Sequence, residues 1–292
     1  MLIRSTLFSR LSYMSRENTE LGSQLQDVQK QITTGKRLVR MSEEPWTVSQ
    51  IHQLREETSV QSVFKDSANL ATTLLSQAEN GLSQSLNVMS RLKELAIQAS
   101  NDTYSLEDLS NMAEEVENLK ERVLNLANTE FNGRYVFSGT AYDTPPFDST
   151  YTYAGTTTEV SVDVSTSAKA EVGFDGSDVF QGSVDVFAAI DNLLTGLNTD
   201  DSTLIRGAIS DFDDVFDQMA NYITRIGAET NISEDMYEVA TNIEIGLSQR
   251  LSAVEDVDAA EALTRFSMLQ NQYQINLQLT TKMRGMSLFE RM

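Results

Sequence analysis

Residues 7–32, LFSRLSYMSRENTELGSQLQDVQKQI, decide the fold. Leu7, Leu11, Met14, Asn18, Leu21, Leu25, Val28 and Ile32 step alternately by four and three, and seven of these eight positions are apolar. Such steps draw a narrow stripe along one side of a helix, the seam of a coiled coil. An isolated helix of this length gains little from the stripe in water, so a second helix must cover it. Asn18 is the polar member: it either fixes the register, because a polar seam residue tolerates few alignments, or marks a loosely packed point.

Reading outward, the helix should stop at Thr34-Gly35-Lys36-Arg37, where glycine supplies left-handed geometry and the two cations oppose the negative end of the dipole. The loop LVRMSEEP follows, and Pro45 opens a second helix behind Glu43 and Glu44. That helix is expected from Pro45 to about Ala99, with Leu75, Ala78, Leu82, Leu86, Met89, Leu92, Ala96 and Ala99 at helical spacing and Gly81 its weak point. Ser105 to Asp108 offers a capping box for a third helix, whose Met112, Val116, Leu119, Val123 and Leu126 continue the four-three rhythm in an antiparallel hairpin with the second.

The texture changes at Phe131-Asn132-Gly133. From RYVFSGT through EVSVDV to AEVGFDGSDVF the chain is rich in Thr, Val, Tyr, Phe and Gly, and the alternation of EVSVDV marks a half-exposed strand. Helical periodicity returns with VFAAIDNLLTGL, and a last long helix is expected from Glu234 to Arg284, its stripe including Leu247, Leu251, Val254, Ala259, Leu263, Phe266, Tyr273 and Leu277. The divisions are 1–44, an N-terminal coiled-coil segment; 45–133, a helical hairpin; 134–180, a β-rich domain; 181–232, a helical return; and 233–292, a long C-terminal helix. The fold class is mainly α with a small β-rich insertion, a long antiparallel bundle or coiled coil formed by the N- and C-terminal helices.

Charge selects the C-terminal helix as the partner of the seam. The net charge is −21, yet residues 1–60 carry eight basic against seven acidic side chains and residues 266–292 three against one, whereas residues 181–265 carry four against 17. Near-neutral ends can associate while an acidic middle repels copies of itself. The acidity also excludes a nucleic-acid binder, which needs a basic face.

Catalytic chemistry lacks its parts. There is no cysteine, and His52 is the only histidine, so a cysteine zinc site, a disulfide frame and a histidine-paired nucleophile all fail. Asp211, Asp213, Asp214 and Asp217 spread round a helix with Phe212, Val215 and Phe216, which reads as a solvated acidic face. Asp175-Gly176 lacks the ligands of a calcium loop and reads as a turn, and no phosphate-binding glycine motif occurs. No window is long and apolar enough for a membrane span, and no apolar run of a cleavable signal peptide opens the chain. We expect no enzyme activity, no catalytic, cofactor or metal residue, and no nucleic-acid or membrane partner.

Several stretches in order, MLIRSTLF, ITTGKRLVRMSEEP, NGRYVFSGT leading into TPPF, and VEDVDAAEALTRFSMLQNQYQ, together resemble the flagellar hook-associated protein 3 family (FlgL, the hook-filament junction protein), related to bacterial flagellin. The match concentrates in residues 1–60, 130–150 and 250–292. The resemblance implies a structural, extracellular part of the bacterial flagellum at the hook-filament junction, exported through the flagellar type III channel without a cleaved signal peptide. It implies that the terminal helices form an axial core while residues 45–133 belong to a rod and residues 134–180 project outward. Its implied partners are copies of itself, the first hook-associated protein on the hook side, flagellin on the filament side and an export chaperone.

Gly35, Lys36, Arg37 and Pro45 fall on the family turn after the first helix, with Glu43 and Glu44 where the family usually has paired aspartates. Glu255, Asp256, Asp258, Glu261, Ala262 and Thr264 fall on its acidic-alanine motif, and Ser287 and Leu288 on its terminal serine-leucine. The helix-packing and assembly residues are then Leu7, Leu11, Met14, Asn18, Leu21, Leu25, Val28 and Ile32 with Leu263, Phe266, Tyr273, Leu277 and Leu288. A flagellin built on the same terminal helices is the alternative, and an unrelated acidic coiled-coil adaptor a further one.

Overall fold

The computed structural model describes residues 2–40, 42, 44–101 and 104–289, with side chains of the terminal helices described from residue 9 to residue 283. Seven helices and four short strands follow in the order α1 (Leu2–Thr34), α2 (Pro45–Ala99), α3 (Leu106–Ala127), β1 (Glu130–Phe131), β2 (Arg134–Tyr135), β3 (Val160–Asp163), β4 (Lys169–Gly173), α4 (Gly176–Gln181), α5 (Val186–Thr199), α6 (Ser202–Glu255) and α7 (Ala259–Phe289) among the described residues. The mainly helical class with a small β insertion holds, and the seam of α1 is covered by α7. The chain separates into two compact units, residues 1–59 with 243–292 and residues 60–242.

In the larger unit, α2 buries Leu75, Leu82, Met89 and Leu92, α3 buries Leu109, Val116 and Val123, and α6 buries Phe212, Val215 and Met219 in one apolar cluster. The expected start of α3 is present: Ser105 accepts from the Asp108 amide while the Asp108 carboxylate accepts from the Ser105 amide, so each answers a helix-end group. Gly81, a weak helix former, earns its place by closeness, since a Cβ there would lie 3.1 Å from Thr129 Oγ1.

The insertion is pinned by aromatic edges and by turns. Asn132 and Gly133, with φ of 51° and 78°, close the β1–β2 hairpin, because two successive left-handed residues match the twist of a tight antiparallel pair. Phe137 and Phe147 meet Phe180 edge-on at centroid distances of 5.4 and 5.6 Å. Asn128 holds Phe147 in place through both of its amide atoms, at 2.9 Å each. Asp175-Gly176 is not the expected turn: Asp175 caps α4 by accepting from the Ser177 amide, and the bare Gly176 lets Phe137 O approach.

The expected last helix from Glu234 to Arg284 is two helices. α6 already begins at Ser202, behind an Asp201 whose carboxylate accepts from the Thr203 and Leu204 amides, and it ends at Glu255. Asp256-Val257-Asp258 breaks the run, and Asp258 Oδ1 caps α7 by accepting from the Ala260 and Glu261 amides at 2.8 and 3.1 Å.

Candidate assembly surface

The smaller unit is built on the α1–α7 pair. Val28, Ala262 and Leu269 are buried between them, with Leu21, Leu25, Ile32, Val257 and Phe266 packed against these three. Leu11 and Met14 are half-buried on the same stripe of α1, and Tyr273 approaches Gly22, where a Cβ would stand 3.9 Å from its ring. Asn18 lies in the seam: its Nδ2 donates to Thr280 Oγ1 at 3.2 Å, while its Oδ1 is shielded from solvent without a protein partner. The side chains of Leu7 and Leu288 lie outside the described residues, as does Glu43.

On α7 the covered stripe is Ala262, Phe266, Leu269, Tyr273, Asn276, Thr280 and Met283, stepping by four and three. Leu263 and Leu277, expected beside Phe266 and Tyr273, turn away from α1 and stay 53% and 41% exposed. The cause is that α7 is apolar on several sides, so periodicity alone offers more than one stripe. Met268, Ile275 and Leu279 form a further exposed row on it.

Beyond the pair, the α1–α2 loop and the α6–α7 break are stitched to each other. Gly35, at φ +69°, reverses the chain and brings Lys36 into an antiparallel bridge with Asp256. The Arg37 amide donates to Glu255 O at 2.8 Å and the Val257 amide to Gly35 O at 3.0 Å. Lys36 Nζ lies 2.9 Å from Asp256 Oδ1 and 3.3 Å from Glu255 Oε1, a carboxylate that also receives Arg55. Arg37 donates through both terminal nitrogens to Glu44, at 3.0 Å each, and Thr47 Oγ1 donates to the same carboxylate, so Glu44 serves Arg37 ahead of Pro45.

These contacts set the charge states of the joint. The Arg37 hydrogen bonds hold Glu44 below the usual carboxylate range, the Ser252 hydroxyl and then Lys36 do the same for Asp256, and the Asp256 hydrogen bond raises Lys36. The sequence reading passed over Leu269 and Thr280, and it placed Asp258 on the family motif without reading it as the cap of a new helix. Asp258 with Glu261 three places on is the sequence sign of a helix start inside an apparently continuous run.

Chemistry is sparse elsewhere. His52 is exposed on α2, and Asp213 pairs with Lys93 of α2 while Phe212 and Val215 face the core. No metal-suited cluster of His, Cys, Asp or Glu occurs among the described residues, and no helix among them is long and apolar enough to cross a membrane.

The chain matches the family models of the bacterial flagellin N-terminal helical region over residues 5–142 and the bacterial flagellin C-terminal helical region over residues 209–290. It is 27% identical over 286 residues to flagellar hook-associated protein 3 of Escherichia coli strain K12, covering 89% of this chain and 90% of that one. Its fold resembles that of the flagellar junction protein FlgL from Legionella pneumophila, with a TM-score of 0.59 at 17% identity over 71% of this chain and 99% of that one. A flagellin of Clostridium tyrobutyricum is 27% identical over 109 residues, 37% of this chain and 29% of that one.

Proposed function

Because this chain belongs to the flagellar hook-associated protein 3 family, structural and non-enzymatic relatives of flagellin, we propose that it joins hook to filament in the bacterial flagellum through packing of its terminal helices. The observation that carries the reading is the α1–α7 pair: one stripe is consumed within the molecule while Leu263, Leu277, Met268, Ile275 and Leu279 remain exposed on the other sides of α7. Exposed apolar rows on a near-neutral helix favour association between copies. The assembly role of Leu11, Met14, Asn18, Leu21, Leu25, Val28 and Ile32 is then indirect, for they hold α7 in the attitude that offers those rows. Gly35, Lys36, Arg37 and Pro45 fix where the pair joins α2.

The partners in this reading are other copies of the chain, the first hook-associated protein on the hook side, flagellin on the filament side, and an export chaperone that receives the chain before assembly. Export through the flagellar type III channel without a cleaved signal peptide belongs to the same reading. The flagellin alternative has less support, since the flagellin match covers little more than a third of the chain. Deleting the gene tests the proposal: cells should bear hooks without filaments and release flagellin into the medium, whereas intact filaments would overturn it.

A further inference from the structure

Trp46, the only tryptophan of the chain, stands 85% exposed in the first turn of α2. Ser49, Gln50 and Gln53 follow it at three, four and seven places, so they share its face of the helix, and all three are exposed and polar. The packed side of this part of α2 lies elsewhere: Ile51 and Leu54 are buried, and Arg55 reaches Glu255. At 3.6 residues per turn, Trp46 lies about 140° round the helix from Ile51 and about 180° from Arg55. The indole therefore projects from the smaller unit as a knob. A ring of that size left in water forgoes the burial that makes tryptophan an anchor of protein interfaces.

The same unit holds a cleft of about 310 Å³ where the α1–α2 loop meets the start of α7. That is near the lower end of the roughly 300–1,000 Å³ of binding pockets, room for one ring system rather than a length of chain. Leu38, Val257 and Ala262 give it apolar surface, and Arg37 and Arg265 line it. Arg37 is pinned along its edge: both terminal nitrogens donate to Glu44 at 3.0 Å and Nε donates to Val254 O at 3.3 Å. Its carbonyl is fixed as well, accepting from Gln31 Nε2 at 2.6 Å. The Arg37 side chain nevertheless stays 42% exposed, so what it still offers is the flat face of the guanidinium, and an aromatic ring is the group that stacks there. A small anion would have to take Arg37 from Glu44, whereas an indole stacks on the pair as it stands.

We propose that Trp46 of one copy seats in this cleft of the next copy. No described residue lines both the cleft and the surroundings of Trp46, and both lie on the smaller unit, so every copy presents a knob and a separate hole. A contact between two different patches of identical chains is heterologous, and it builds a ring or a helical row rather than a closed pair. Charge does not oppose it, because residues 1–60 carry eight basic against seven acidic side chains. The inference rests on the flagellar reading in requiring that copies stand side by side. It adds a contact made at the joint, distinct from the exposed rows of α7.

Two measurements on isolated flagella test it, each with the full-length variant co-expressed with the unmodified chain so that flagella form. In the first, Trp46 is replaced by the photoreactive aromatic p-benzoylphenylalanine, and after irradiation the adduct is mapped by mass spectrometry. The adduct is expected on another copy, within residues 37–38 or 257–265. Because that ring is bulkier than an indole, the second keeps Trp46 and exploits the absence of cysteine. A chain carrying both Gln50→Cys and Glu261→Cys, treated with a short bismaleimide, should yield covalent multiples beyond the dimer, and neither cysteine alone should yield any. Adducts elsewhere on the chain or on another protein, dimers from either single-cysteine chain, or neither adducts nor multiples in flagella that contain the variants would overturn the inference while leaving the junction role intact. Intact filaments after gene deletion, or flagella from which all versions of the chain are missing, would instead remove the flagellar reading and this inference with it.

Discussion

Two glycines of the smaller unit show how one residue type answers two demands. Gly22 sits within α1 facing Tyr273, and the 3.9 Å to an added Cβ is ordinary contact. Gly22→Ala should therefore stabilise this unit by about 0.5–1 kcal/mol, the helix-propensity gain, with little packing cost. Gly35 has open space around it but a φ of +69°, so Gly35→Ala should destabilise by about 1–2 kcal/mol through backbone strain alone. Opposite shifts in the denaturant midpoint of the full chain check the pair, and a stabilising Gly35→Ala would contradict the turn. Asn18 adds a third case. With Oδ1 shielded and unpaired, Asn18→Leu should raise stability by about 1–2 kcal/mol. It should also loosen alignment, read as cross-linking of cysteines placed one turn out of register on α1 and α7, which the native Asn18–Thr280 bond should suppress.

At the scale of elements, the joint between the α1–α2 loop and the α6–α7 break is electrostatic and so depends on pH. Glu44 and Asp256 are held below the ordinary carboxylate range, so their contribution is fully present above their unfolded values near 4 and fades as pH falls through the lower folded values. Lys36 is raised, so its part is complete below its unfolded value near 10 and is lost as pH climbs through the folded one. Amide protection at Arg37 and Val257, whose N–H groups bridge the joint, should hold at neutral pH and drop on acidification. Glu44→Gln with Asp256→Asn should lower the neutral plateau and flatten the acid limb; an unchanged acid limb would show that other carboxylates govern it. The elements themselves were unequally legible. Pro45, Ser105 and Gly35 announced boundaries through local chemistry, and α2, α3 and α1 begin or end where those residues required. The break before α7 was hidden because Asp256 and Asp258 sit inside a stretch whose apolar spacing reads straight through, although Asp258 with Glu261 carried the sign of a cap. The covered stripe of α7 was legible only in part, since Phe266 and Tyr273 share a helix with other apolar rows and only α1 decides between them.

Across the whole molecule, burial is divided unequally, and this sets the order in which the chain loses structure. The larger unit encloses side chains with no exposure at all, among them Leu75, Leu82, Met89, Phe137 and Phe212, contributed by α2, α6 and the insertion. The smaller unit has Val28, Ala262 and Leu269 as the buried centre of its terminal helix pair, flanked by residues that remain half in water. Each fully buried aliphatic side chain contributes roughly 1.5–3 kcal/mol, and a half-buried seam yields correspondingly less against the same backbone entropy. In a dilute full-length monomer, amides of α1 and α7 should exchange through local opening well before those of α2 residues 75–92, and urea should release the terminal pair first. Assembly should reverse that ranking at the ends, because covering Met268, Ile275 and Leu279 removes the exposed rows and links opening to dissociation. Equal protection of the terminal pair and the larger unit in a verified monomer would mean that the pair is self-sufficient, and the exposed rows of α7 would then need another explanation than a neighbouring copy.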